Sequence, residues 1–524
     1  MDRATAFERL RTRSTPWDLL VVGGGATGLG IALDAATRGH AVLLVERDDF
    51  AAATSSRSTK LLHGGVRYLR QGNIRLVREA LAERGRVLAN APHLAAPLPF
   101  VIPAYRFGER LMLGAGLAVY ERLAGRASLG RSRILDAAGT RAALPGLRGE
   151  GLRGGVRYLD GQFDDARLAI CLAQSAWDHG ATVLNHTELV ALTQRNGKVD
   201  GGVVRDRETG ESVELAARVV VNATGVFSDA IRRLARPDAE ATVAPSRGTH
   251  LVLPRHFLPG EAALMIPKTD DGRVLFAIPW QGRLLLGTTD LAVPEACAEP
   301  IARNDEIAYL LHHIARYLDP APTAADILAV FSGLRPLVRQ SGAQGTSALA
   351  RDHLLHHEAG LVSITGGKWT TYRAMAEQTV DLAAHIGGLP ARPCRTAGLA
   401  LHGAPAGPAP AAVDAPLHRY GSDAPALRAL AEADPELAAP LHPALPVTGA
   451  EIVWAARHEM ARTVVDVLAR RSRAMILDVR ASLEIAPAVA RLLARELGCD
   501  DTWAAREIAA YARHASVCCL PATE

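Results

Sequence analysis

Along the chain, the first clear pattern is a short, almost wholly aliphatic run, Trp17–Val22, that breaks off into a glycine cluster. A run of this length bounded by glycine is the signature of a strand buried on both faces. Helical spacing follows over residues 31–38, and a second aliphatic run covers 41–46. Together these predict a strand–helix–strand unit at the start of the fold. Residues 74–90 predict an amphipathic helix, with Ile74, Val77, Leu81, Val87 and Leu88 on one stripe. From about 181 the period shortens to that of strands, in ATVLNHTELVAL, KVDGGVVRD and ESVELAARVVVNATG. THLVLP, VLFAIPW and RLLLGTTD add more between 246 and 290, and helical spacing returns at 304–318 and 370–387.

A proline-rich stretch at 402–423 then interrupts the pattern and reads as a linker. Beyond it the chain is helical in pattern, and Thr448 with Glu451 has capping-box spacing ahead of a long apolar stripe. The expected fold is α/β: a Rossmann-like domain interleaved with a mixed-sheet domain over 17–400, followed by an all-helical domain over 424–524. The nucleotide segments are expected at about 17–100, 155–235 and 330–390, and the cap segments at 100–155 and 236–330.

Length and composition narrow the class. The 524 residues exceed one ordinary core. The net charge of +4, with no basic block, excludes a dedicated nucleic-acid binder. Six cysteines include no CxxC pair, so neither a zinc nor an iron–sulfur site is expected. The N-terminus carries no apolar signal core and no run is long enough to span a bilayer, which predicts a cytoplasmic chain or one lying on a membrane surface. Only four of the 59 basic residues are lysines (60, 198, 268 and 368), so each lysine is slightly more informative than usual.

The glycine cluster carries the first chemistry. Gly23, Gly25 and Gly28 form G-x-G-x-x-G between a strand and a helix, and Glu46 closes the second strand where a ribose hydroxyl would lie. The hydroxyl-rich segment Thr54, Ser55, Ser58 with Lys60 follows. Two later turns, Ala223–Gly225 and Gly366–Gly367, would bring further backbone to an elongated ligand. Several turns converging on one long anionic cofactor favour FAD over NAD.

These motifs, together with STKLLHGGVRYL (58–69), RGTHLVLP (247–254), FSGLRPLV (331–338) and TGGKWTTYR (365–373), resemble the FAD-dependent glycerol-3-phosphate dehydrogenases, within the D-amino-acid-oxidase-like flavoproteins. The resemblance runs in order from about 17 to 375 and extends to the helical tail at 457–471. It implies oxidation of sn-glycerol 3-phosphate to dihydroxyacetone phosphate by hydride transfer to FAD. A quinone or other electron acceptor, a membrane surface and a homo-oligomeric state are implied with it. It also implies Arg67, Tyr68 and Arg351 as substrate-binding residues, with Arg335 at the phosphate or the reacting oxygen. For the hydroxyl proton the residue types leave two candidates, His250, which titrates near neutrality, and Lys368 at a helix-opening glycine turn. The competing readings are a glycerol-3-phosphate oxidase using oxygen, an amine or amino-acid oxidase of the same superfamily, and a non-catalytic flavin-binding sensor or assembly subunit.

Overall fold

The computed structural model describes residues 1–65, 73–339, 353–405 and 417–521. Arg67, Tyr68, Arg351 and the middle of the proline-rich stretch lie outside the described residues.

The opening strand, Trp17–Val22, sits at the centre of an eight-stranded sheet, parallel to Val42–Val45 on one side and to Ser212–Asn222 on the other. Its residues from Leu19 to Val22 are 5% exposed or less, as expected of a strand covered on both faces. The helices Ala26–Thr37, Asp165–Asp178 and Tyr372–Ile386 pack side by side against this sheet. Thr182–Leu184 and Leu361–Gly366 extend the parallel order outward, so the carboxyl ends of the strands open together onto one crevice.

The second sheet has ten strands and is mostly antiparallel. It begins earlier in the chain than the expected division. Ala95–Ala104, Gly154–Phe163 and Ala329–Val338 all belong to it, although their sequences fall at the edges of segments assigned to the nucleotide domain. Ala95–Ala104 pairs with Gly154–Phe163 across an excursion of about 50 residues, and a pairing of that range leaves no local trace in the pattern. Val243–Pro254 runs between Ala329–Val338 and Arg283–Gly287, which sets His250 opposite both Gly287 and Phe331.

The tail is helical except for a small hairpin, Pro440–His442 with Leu445–Thr448. The Thr448–Glu451 capping box is present. Buried ion pairs fasten this tail to the nucleotide domain. Asp49 receives Arg470 at 2.5 Å and also Arg471, and Arg167 reaches Glu459 at 2.8 Å; within the tail Arg470 also reaches Asp466 at 2.6 Å. Asp49, His186 and Asp466 come close enough to suggest a metal site. However, the two guanidinium groups already supply the positive charge there.

The helix Glu109–Ala124 buries Leu117 and Tyr120, half-buries Leu113 and Leu123, and turns Leu111, Met112 and Val119 outward. Leu111 is 69% exposed and Met112 63%; neighbouring Phe107 is 93% exposed. Among the described residues no helix is long and apolar enough to cross a membrane.

Candidate active site

The two sheets enclose a cleft of ≈ 1950 Å³ that runs from the glycine turn to His250. At its nucleotide end the residue types follow from close approach. Gly23 has φ +108, and a Cβ there would stand 2.7 Å from the Ala223 carbonyl oxygen. A Cβ on Gly28 would stand 1.8 Å from the Gly23 carbonyl oxygen, so helix and turn could not close. Gly28 therefore packs the turn and does not line the cleft, whereas Gly23 and Gly25 do.

The helix N-terminus beyond Gly25 is capped from another segment, Ser55 Oγ accepting the Ala26 N–H at 2.9 Å. Glu46 lines the cleft and accepts the Gly24 N–H at 2.7 Å and the Asp48 N–H at 2.9 Å. Burial raises its pKa, and the two amides oppose that shift. Ala223, Gly225, Gly366 and Gly367 all border the same space. An amide-ended helix, a carboxylate held by backbone and small residues along a single long crevice fit the pyrophosphate, ribose and ring system of FAD.

The hydroxyl-rich segment divides. Thr54 lines the cleft, but its hydroxyl donates to the Leu334 carbonyl at 2.7 Å. Ser58 also borders the cleft, with its N–H and hydroxyl both spent on Asp165. Lys60 departs from the expectation of cofactor contact. Its backbone is left-handed, with φ +62, and this turns the side chain into the protein. Nζ lies 2.6 Å from Asp165 Oδ2 and donates to the Ser56 carbonyl at 2.8 Å. Burial pulls the ammonium down to about 7, against the pull of Asp165. The Trp280 and Phe331 rings stand 5.4 and 5.2 Å from it. Lys60 thus anchors the segment from behind.

At the far end the structure brings His250, Arg335 and Lys368 to one cleft. The His250 ring stacks on Phe331 with centroids 4.7 Å apart and is 2% exposed. Burial, then Lys60, then Arg335 hold its pKa well below the ordinary histidine value, so the ring is uncharged. Gly287 faces it across the strand pair, and a Cβ there would reach 2.1 Å from His250 Cδ2.

Among the described residues Arg335 is oriented by three acceptors: Asp290 Oδ1 at 3.2 Å, Thr288 Oγ1 at 3.1 Å and the Thr289 carbonyl at 3.0 Å. Lys368 caps the turn that opens the helix Tyr372–Ile386, and Trp369 beside it donates to the Ser55 carbonyl at 2.9 Å. Thr59, Asp290 and Trp369 were not among the candidates read from the sequence. Their roles come from partners at least 45 residues away, which local patterns do not carry.

The fold and this cleft define an FAD-dependent oxidoreductase. Residues 18–382 match the family described as FAD dependent oxidoreductase, and 361–504 match the C-terminal domain of alpha-glycerophosphate oxidase. The chain is 40% identical over 527 aligned positions to a mitochondrial glycerol-3-phosphate dehydrogenase of Arabidopsis thaliana, covering 93% of this chain and 84% of that one. It is 38% identical to the human mitochondrial glycerol-3-phosphate dehydrogenase, with 93% and 71% covered. The glycerol-3-phosphate dehydrogenase of Bacillus halodurans, solved with FAD, superposes with a TM-score of 0.80 at 28% identity, over 100% of this chain and 98% of that one. The chain belongs to the FAD-dependent glycerol-3-phosphate dehydrogenase family, and its cofactor is FAD.

Proposed function

We propose that this chain oxidises sn-glycerol 3-phosphate to dihydroxyacetone phosphate and passes the electrons to a membrane quinone. The observation that carries the reading is that His250, Arg335 and Lys368 line the same cleft as the dinucleotide cradle. Bound FAD supplies the hydride acceptor. The chain must then take the hydroxyl proton and hold the phosphate. His250, kept uncharged, suits the first task, and Lys368, which lines the same cleft, is assigned to steady a developing alkoxide. Arg335 offers a planar cation oriented by Asp290 to the phosphate or the reacting oxygen. Arg67, Tyr68 and Arg351, outside the described residues, are proposed as further substrate-binding residues on the resemblance alone.

The acceptor and location rest on the exposed face of Glu109–Ala124. Leu111, Met112 and Val119 form an apolar strip, with Phe107 ahead of it, and Ile134 lies beside the helix at 51% exposed. Arg106, Arg110, Arg122 and Arg126 flank the strip, a charge pattern that suits anionic lipid headgroups. A helix lying in the interface would hold the cleft at the surface where a lipid-soluble quinone travels. We propose on this ground that the chain is a peripheral protein on the inner face of the cytoplasmic membrane.

The test is turnover of sn-glycerol 3-phosphate with a quinone analogue, set against peroxide formation in air. Quinone reduction without peroxide supports the reading. Stoichiometric peroxide makes the chain an oxidase, and no turnover with either acceptor removes the assignment.

A further inference from the structure

His250 does not stand alone in the cleft. Its Nε2 lies 3.0 Å from Thr59 Oγ1, its one hydrogen-bond partner recorded among the described residues. Nδ1 is buried without a partner. The edge of the ring that meets the cleft is therefore the Nε2 edge, and Thr59 borders the cleft beside it. Phe331 on one side and Gly287 across the strand pair prevent the ring from tilting. Rotation within its own plane is left to a single hydrogen bond.

Thr59 is itself held on both sides. The Ser58 N–H and hydroxyl donate to Asp165 Oδ2 at 3.0 and 2.7 Å, and Lys60 Nζ reaches the same oxygen at 2.6 Å. Arg473, from the helical tail, donates to the other Asp165 oxygen at 3.1 Å and to the Ser56 carbonyl at 2.7 Å. A buried carboxylate thus fixes the residues before and after Thr59, and the hydroxyl between them is aimed at the imidazole.

We propose that Thr59 is the positioning residue of the proton-transfer step, its hydroxyl holding His250 Nε2 at the edge of the cleft for the substrate's secondary hydroxyl. The inference rests on the reading that His250 takes that proton. A neutral imidazole has one N–H and one lone pair, and a hydroxyl partner can donate to the lone pair or yield it to substrate. Threonine suits this role because its branched Cβ restricts the rotamers open to the hydroxyl.

The experiment compares Thr59→Ser and Thr59→Val in the full FAD-loaded chain, with His250→Asn alongside. The readouts are kcat and KM for sn-glycerol 3-phosphate and the visible flavin spectrum. Thr59→Val is expected to lower kcat by about tenfold or more, with KM and the spectrum close to wild type. Thr59→Ser, which restores the hydroxyl, is expected to recover most of the loss. Three results overturn the inference: an unchanged kcat in Thr59→Val, an equal loss in Thr59→Ser, or loss of FAD from Thr59→Val, which would assign the hydroxyl to the cofactor. If His250→Asn itself turns over normally, the reading of His250 as base fails first. If only Thr59→Val is silent, the positioning role fails alone.

Discussion

Gly248 offers a way to displace Arg335 without deleting it. The residue lies in the strand Val243–Pro254, paired with Gly333 in Ala329–Val338, two residues before Arg335. A Cβ added to Gly248 would stand 2.3 Å from Arg335 Nη2, 2.7 Å from its Cζ and 2.7 Å from Thr288 Oγ1. These are side-chain ends, so the fold can survive while the guanidinium recedes. Reaching ordinary contact, about 3.5 Å, requires a shift of about 1.2 Å. The Nη2 bonds to Thr288 and Thr289 lengthen with it. A displacement of about 1 Å at a positioned catalytic group costs on the order of 100-fold, or about 2.7 kcal/mol. Gly248→Ala should therefore lower kcat/KM for sn-glycerol 3-phosphate by about that factor, with FAD content and melting temperature close to wild type. Arg335→Ala should lose at least as much, and adding Gly248→Ala to it should cost little more, because both act through one guanidinium. A kcat/KM within about threefold of wild type in Gly248→Ala would refute the reasoning. It would mean that Arg335 does not act on substrate from the position its three acceptors define.

Gly25→Val should yield protein without FAD, since a Cβ there already meets Ser55 Oγ at 3.0 Å and larger groups fill the pyrophosphate's place; the flavin absorbance of the purified variant reads this directly. Leu111→Glu with Met112→Glu should abolish co-sedimentation with anionic liposomes and quinone reduction while activity with a soluble dye persists, because both side chains point outward; undiminished sedimentation would place the membrane contact elsewhere. His402 bonds Asp178 and Asp423, and these raise its pKa to about 9. Raised above the unfolded value of about 6.5, it stabilises the fold fully below that pH and loses the contribution as pH rises through about 9. His402→Gln should accordingly lower the melting temperature at pH 6, with the gap to wild type closing above pH 9.

What the chain discloses locally and what it does not can be separated residue by residue. Gly23 and Gly28 are legible because a tight turn against a helix excludes every side chain, so residue type and spacing carry the geometry. Glu46 is legible because it ends a strand at a fixed distance from that turn. Gly248 and Gly287 are different. Both occur in recognisable segments, yet the reason for glycine is an arginine or histidine brought alongside by strand register, and register is a long-range property. Lys60 shows the same limit. Its place in a hydroxyl-rich loop suggests cofactor contact, but its partner is Asp165, 105 residues on, and the left-handed backbone that sends it inward has no glycine to mark it. The apolar run at 111–120 fits a core helix and a membrane-surface helix equally well in sequence, and the split between inward Leu117 and Tyr120 and outward Leu111 and Met112 appears only once the helix is docked.

The central claim is that one cleft joins FAD to the oxidation of a phosphorylated secondary alcohol. It is tested most directly by adding sn-glycerol 3-phosphate to the purified yellow protein without oxygen and following the visible flavin absorbance. Rapid bleaching by sn-glycerol 3-phosphate, recovery of colour on adding a quinone, and little response to unphosphorylated glycerol, which lacks the phosphate proposed as a partner of Arg335, are expected. An unbleached flavin with sn-glycerol 3-phosphate, or equal bleaching by glycerol, would contradict it.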